Sequence, residues 1–168
     1  MQPTNLHIAD TLKADHVSYG DFFKLRIKAY RPCKDLPLTF NKDPYGNAGW
    51  DLYATETIEV DNGQIVKVPV NAHFAIPTGY YGRVTPRSGL SSEGINIIPG
   101  TIDSNFRGQI MAIVQNISGK KITIERGMKL AQIIFLRHEI PEFEEVESVE
   151  ELGETSRGQQ GFGSSGKF

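Results

Sequence analysis

The sequence predicts an all-β fold, a barrel or sandwich of short strands with at most one short helix. Stretches rich in β-branched residues recur at close spacing, as at 57–60, 64–70 and 121–125. Clusters of Gly, Pro, Asn and Asp separate them, and apolar residues almost never repeat with helical spacing. At 168 residues, with 39% hydrophobic and 23% charged side chains, the chain is sized for one domain able to bury its own core.

Residues 1–22 mix polar, charged and isolated apolar positions and are read as an N-terminal extension, a loose helix or an extended arm without assigned chemistry. Lys24-Leu25-Arg26-Ile27-Lys28-Ala29-Tyr30 alternates, with Leu25, Ile27 and Ala29 on one face, which predicts a half-exposed strand. Pro32, Pro37 and Pro44, with Asn41, Asp43 and Gly46, make 31–47 a long irregular insert. Residues 57–60 and 64–70 flank Asp61-Asn62-Gly63 and predict a hairpin. Strands are expected at 73–76 and 80–85, followed by a loop from Pro86 to Ser92 that opens one short helix. Further strands are expected at 109–117 and 121–125, around a Ser118-Gly119 turn, and at 128–136.

From 139 to 151 seven glutamates punctuate Ile140, Phe143, Val146 and Val149, the pattern of an edge strand's solvated side or of a connecting arm. Residues 153–168 carry five glycines and leave only Phe162 and Phe168 to bury, so alone they are expected to be a flexible, disordered arm. The expected organisation is therefore an extension at 1–22, a β domain at 23–152 and a glycine-rich arm at 153–168.

A net charge of −2 without a basic cluster argues against a general nucleic-acid binder, which needs a positive face to neutralise phosphates. One cysteine, Cys33, excludes an internal disulfide, and four scattered histidines show no zinc spacing. No apolar run reaches membrane-spanning length and the first twenty residues lack a hydrophobic signal core. The expectation is a soluble intracellular protein of cytoplasm or nucleus, with a viral source left open.

Chemistry concentrates in Pro99-Gly100-Thr101-Ile102-Asp103-Ser104-Asn105-Phe106-Arg107-Gly108. An acid beside Ile102 at a strand edge is expected to be partly desolvated and so placed to accept a proton from water. The alternative is a turn aspartate whose side chain caps its own backbone. The terminal arm offers a second candidate: glycine-freed amides, Ser164, Ser165, Arg157 and Phe162 can together hold phosphate and stack on a base, or form a plain flexible tail.

Five segments stand in order at 48–54, 86–90, 100–108, 127–132 and 157–166. Their Pro-Arg-Ser-Gly-Leu, Gly-x-Ile-Asp, Gly-x-x-x-Ala-Gln and Arg-Gly-x-x-Gly-Phe-Gly-Ser-Ser-Gly patterns resemble the motifs of the homotrimeric deoxyuridine triphosphatases, the dUTPases, over about 24–166. The resemblance implies a jelly-roll-like distorted barrel assembled as a homotrimer, each site drawing on all three chains, with the glycine-rich arm of one closing the site of another. It implies hydrolysis of dUTP to dUMP and pyrophosphate with Mg2+, a reaction that limits uracil in DNA and supplies dUMP for dTMP synthesis.

Carried onto this sequence, the resemblance makes Asp103 the base that activates water against the α-phosphorus. Arg87, Ser88 and Gly89 meet the pyrophosphate part, Gln132 holds phosphate or water, and Asp51 reaches the metal region through water. Arg157 meets the γ-phosphate, Phe162 lies over the uracil, Gly163 beside it is substrate-binding, and Ser164 and Ser165 bind terminal phosphates. Read without the resemblance, Arg87 is a surface ion-pair partner, Gln132 an exposed strand residue and Asp51 a structural acid; Trp50 is read as packing.

Two positions depart from the family pattern. Phe106 stands where most members have Tyr; its ring can press on the sugar and exclude a 2′-hydroxyl, or serve as plain core. Ile97 stands where many bacterial members read uracil with Asn, and Asn96 is expected to face the other way, so uracil recognition falls to backbone near Ile98 and Gly100. A related dCTP deaminase is disfavoured because Ile113 occupies the position of its proton-shuttling Glu. A nucleotide-sensing protein is the other competing reading, with a protein partner on residues 1–22 or the 31–47 insert.

Overall fold

The computed structural model describes residues 25–158. These fall into two compact units, 25–138 and 139–158. The first unit is almost entirely β: β1 Lys28–Tyr30, β2 Trp50–Tyr53, β3 Ile58–Val60, β4 Ile65–Pro69, β5 His73–Ala75, β6 Tyr80–Thr85, β7 Ile95–Ile98, β8 Gly100–Ile102, β9 Met111–Asn116, β10 Ile122–Ile124 and β11 Lys129–Arg137. One helical turn, α1 Ser88–Ser92, is the single short helix expected.

The strands form open antiparallel sheets, not one closed barrel, among the described residues. A four-stranded sheet runs β2-β11-β6-β8 and a three-stranded sheet runs β4-β9-β7, with β1-β5 and β3-β10 as separate pairs. The expected hairpin across Asp61-Asn62-Gly63 does not form: β3 pairs with β10 and β4 pairs with β9. The reason lies in the turns. Gly63 N–H donates to the Asn116 carbonyl and Gly119 N–H donates to the Asn62 side chain, so the two turns lock to each other and send successive strands into different sheets.

The core lies between these sheets. Leu52, Val68, Ile97, Ile110, Leu130 and Ile133 are fully buried, and each such side chain contributes about 1.5–3 kcal/mol relative to exposure. Trp50 packs against this cluster, as expected. β1 is shorter than the alternation suggests, and Ala29 is exposed, because only Lys28–Tyr30 pairs with β5 and the strand lies at a sheet edge.

The 31–47 insert is irregular in secondary structure but well tied down. Asn71, fully buried, donates from Nδ2 to the carbonyls of Cys33, Leu36 and Pro37 at 3.0, 3.1 and 2.9 Å. Its Oδ1 accepts the Cys33 N–H at 2.8 Å. The far end of the insert adds to β2: Asp51 N–H donates to the Phe40 carbonyl, and Thr39 Oγ1 donates to the Asp51 carbonyl, both at 2.7 Å. In the second unit, 139–148 contains no strand and Val149–Leu152 makes one 3-10 turn, so the glutamate-rich stretch is an arm there.

Candidate active site

Asp51, at the centre of β2, organises an open cleft of about 630 Å3. Arg87 Nε lies 2.9 Å from its Oδ1 and Lys129 Nζ lies 3.0 Å from its Oδ2, so one carboxylate is held by two cations. Its side chain is 17% exposed, against 35% for Arg87 and 38% for Lys129. Partial burial weakens solvent screening and makes the cluster stiffer than a surface pair. Arg87 also donates to the Lys129 carbonyl at 3.0 Å, and the Lys129 ammonium sits 4.5 Å above the Phe40 ring.

Gln132 stands opposite Asp51 on one side and Thr85 on the other in the sheet register. Its Nε2 donates to the Pro86 carbonyl at 2.9 Å, and its amide lies so close to Gly49 that a Cβ there would collide with Oε1. Ser88 and Gly89, opening α1, complete this side of the cleft. The segments 48–54, 86–90 and 127–132, far apart in sequence, therefore meet in one place.

Asp103 and Phe106 lie elsewhere. Asp103 follows β8 and lines a separate depression of about 530 Å3 with Tyr80, Tyr81, Arg83 and Thr101. The carboxylate is exposed, contrary to the expected shielding by Ile102, because that neighbour lies within the sheet and the aspartate projects past its end. Nor does it cap its own turn: the turn is closed by Phe106 N–H donating to the Asp103 carbonyl at 3.1 Å. Phe106 is 42% exposed and folds back over Gly108. It is thus not plain core.

The separation follows from register. The cleft row runs Asp51, Gln132, Thr85, whereas Asp103 lies past Ile102, which pairs with Gly82. Three strand spacings sideways and four residues lengthwise place Asp51 and Asp103 roughly 20 Å apart.

Ile97 is fully buried and Asn96 faces away, its Nδ2 3.4 Å from Gln115 Oε1. Ile98 and Gly100 are half-buried on the strands leading to Asp103. Arg157 belongs to the second unit; Phe162, Gly163, Ser164, Ser165 and residues 1–22 lie outside the described residues.

Two charged cleft residues, Lys129 and Lys42, escaped the sequence reading. Lys129 and Gln132 are three apart on a strand, which ordinarily puts them on opposite faces. A bulge between Lys129 and Ala131 shifts the register, leaves Leu130 and Ala131 both buried, and returns Lys129 to the side of Asp51. Lys42 lines the cleft from the insert, where no local pattern marks it.

A model of the dUTPase family matches residues 38–166. The chain belongs to the dUTPase family. It is 42% identical over 138 residues to the deoxyuridine 5′-triphosphate nucleotidohydrolase of Mycolicibacterium gilvum, covering 79% of this chain and 89% of that protein. It is 40% identical to the vaccinia virus enzyme of the same name, over 86% of this chain and 91% of the relative. Among solved structures it is similar to the Staphylococcus bacteriophage 80alpha dUTPase with dUpNHpp, at a TM-score of 0.74 and 26% identity, covering 84% of this chain and 98% of that one. The all-β, jelly-roll-like expectation stands with these relatives. No helix among the described residues is long and apolar enough to cross a membrane.

Proposed function

We propose that this dUTPase-family chain hydrolyses dUTP to dUMP and pyrophosphate in sites completed between copies of a homotrimer. The observation that carries this reading is the split of its motif residues into two groups about 20 Å apart on one sheet. A triphosphate is far shorter than that. Arg87 and Asp103 act on the same substrate only if a second chain brings its Asp103 face to the first chain's Asp51 cleft.

In the joined site Asp103 orients and deprotonates the water that attacks the α-phosphorus. An ordinary aspartate, pKa ~3.9, is a weak base, so alignment of the water in line with the leaving pyrophosphate supplies much of the rate. Arg87 and Ser88 hold the leaving phosphates, Gly89 lets backbone approach them, and Gln132 fixes a phosphate oxygen or water. Phe106 packs on the deoxyribose, and backbone at Ile98 and Gly100 reads uracil. Arg157, Phe162, Gly163, Ser164 and Ser165 of the arm close over base and terminal phosphates, excluding bulk water. Removing dUTP in this way limits uracil in DNA and yields dUMP for dTMP synthesis.

The donor set fits a metal carried by substrate. Among the described residues no group of three or more His, Cys, Asp or Glu is placed to hold an ion, and both Asp51 oxygens face cations. Magnesium keeps several waters and is held largely by phosphates, so Asp51 would support a substrate-borne ion through water. When bound, Mg2+ neutralises charge on the phosphates.

The test is pyrophosphate release from dUTP, dCTP, dTTP and UTP with Mg2+, run beside Asp103→Asn. Turnover of dUTP alone, reduced about 10²- to 10⁴-fold in the variant, is expected. Comparable cleavage of UTP or dTTP would overturn the roles given to Phe106 and to the backbone at Ile98 and Gly100. Binding of dUTP without turnover would leave a nucleotide sensor.

A further inference from the structure

We propose that Lys42, carried by the insert before β2, is an additional binding residue for the terminal phosphates of the substrate. The inference rests on the proposed dUTP hydrolysis and assigns to that site a residue outside the family motifs. Four charged side chains line the Asp51 cleft: Lys42, Asp51, Arg87 and Lys129. Three cations against one carboxylate leave a net positive cleft, as a polyphosphate requires. The cations are not equivalent. Arg87 and Lys129 are each engaged with an Asp51 oxygen, whereas Lys42 is exposed and makes no ion pair or hydrogen bond among the described residues. Among the described residues it is the cleft cation not held by a protein carboxylate.

The insert is built to hold it there. Asn41 Nδ2 donates to the Asn47 and Gly49 carbonyls, both at 2.9 Å, drawing the loop's two limbs together. On the other side of Lys42, Asp43 Oδ1 accepts the N–H groups of Tyr45 and Gly46 at 3.2 and 3.1 Å, and the Asp43 carbonyl accepts the Asn47 N–H at 2.7 Å. The backbone on both sides of Lys42 is therefore fixed while its side chain remains free. That arrangement lowers the ordering cost of capturing an anion at the cleft mouth. Lysine suits the task as a compact charge with three donors on a flexible stem.

The experiment compares the full-length protein with Lys42→Ala, Lys42→Arg and the control Lys67→Ala, an exposed lysine of β4 that makes the same change in net charge away from the cleft. Calorimetric binding of pyrophosphate is measured together with kcat and KM for dUTP. Lys42→Ala is expected to weaken pyrophosphate binding and raise KM about 3- to 10-fold, with kcat nearly unchanged and the difference shrinking at high salt. Lys42→Arg should retain most of the affinity and Lys67→Ala all of it. Equal pyrophosphate affinity in Lys42→Ala and the parent overturns the inference whether or not dUTP is turned over. A parent protein that binds pyrophosphate but leaves dUTP intact overturns the hydrolysis while the Lys42 effect on pyrophosphate is still read.

Discussion

Asp51 shows how a single residue sets both stability and the state of the site. Replacing it with Asn removes one carboxylate and leaves Arg87 and Lys129 facing each other across a half-buried space. Asp51→Asn should cost about 1–2 kcal/mol of stability, measured by urea denaturation, and the loss should diminish when Lys129→Met is added, since that removes one unbalanced cation. Gly49 has a different function. Its φ is unremarkable, but a side chain there strikes the Gln132 amide. Gly49→Ala should therefore displace Gln132 and lower kcat/KM for dUTP by about tenfold, with thermal stability changed far less than activity. Motif order marked Asp51, Arg87 and Gln132 in the sequence, and all three line one cleft. Sequence reasoning missed Lys129 because a bulge reverses strand parity, a change set by tertiary packing and invisible in a local pattern.

The insert is the element whose sequence conveyed least about its role. Prolines and turn formers correctly predicted an irregular segment, yet irregular here means anchored. Asn71 supplies the anchor from 34 to 38 residues away in sequence, in a stretch that reads only as the end of a strand. Asn71→Ala should cost about 2–4 kcal/mol, because it leaves carbonyls and an N–H at the root of the insert without partners. Hydrogen exchange should localise the loosening to 31–49, while β9 and β11 stay protected. A second tie joins the insert to the turn before β11, where Arg126 Nη2 lies 2.7 Å from Asp35 Oδ2. The hydrogen bond from Arg126 holds the Asp35 carboxyl below its ordinary value. A lowered carboxyl pKa means that the tie is fully present above the unfolded-chain value and is lost as pH falls through the folded one. Protection of the insert, the intrinsic amide exchange rate at each pH relative to the observed rate, should thus be flat from neutral pH down through the ordinary carboxylate range and fall only below it. The same pairwise logic explains the hairpin that fails to form at Asp61-Asn62-Gly63. Turn chemistry was legible in the sequence, but the partner of each strand was decided by hydrogen bonds between two turns more than fifty residues apart.

At the scale of the whole molecule, the proposed function requires one chain to carry both halves of a site without joining them itself. The sequence gives no direct sign of this, since motifs in order along a chain say nothing of distance across a sheet. Register supplies it: Asp51, Gln132 and Thr85 form one row across three strands, and Asp103 lies just past the end of the fourth and farther along. Complementation tests the consequence. Arg87→Ala damages the phosphate half and leaves Asp103 intact; Asp103→Asn does the reverse. Each homotrimer alone should be nearly inactive. In trimers co-assembled from equal amounts of the two chains, a site draws its Asp103 from one copy and its Arg87 from another. Both contributors are intact in about one site in four, so activity should return to roughly a quarter of the parent value. If Asp103 and Arg87 served a site within the same chain, every site would carry one lesion and mixing would restore nothing. Putting an affinity tag on one chain only and recovering the other with it establishes that mixed trimers have formed, so that silence cannot be ascribed to failed assembly.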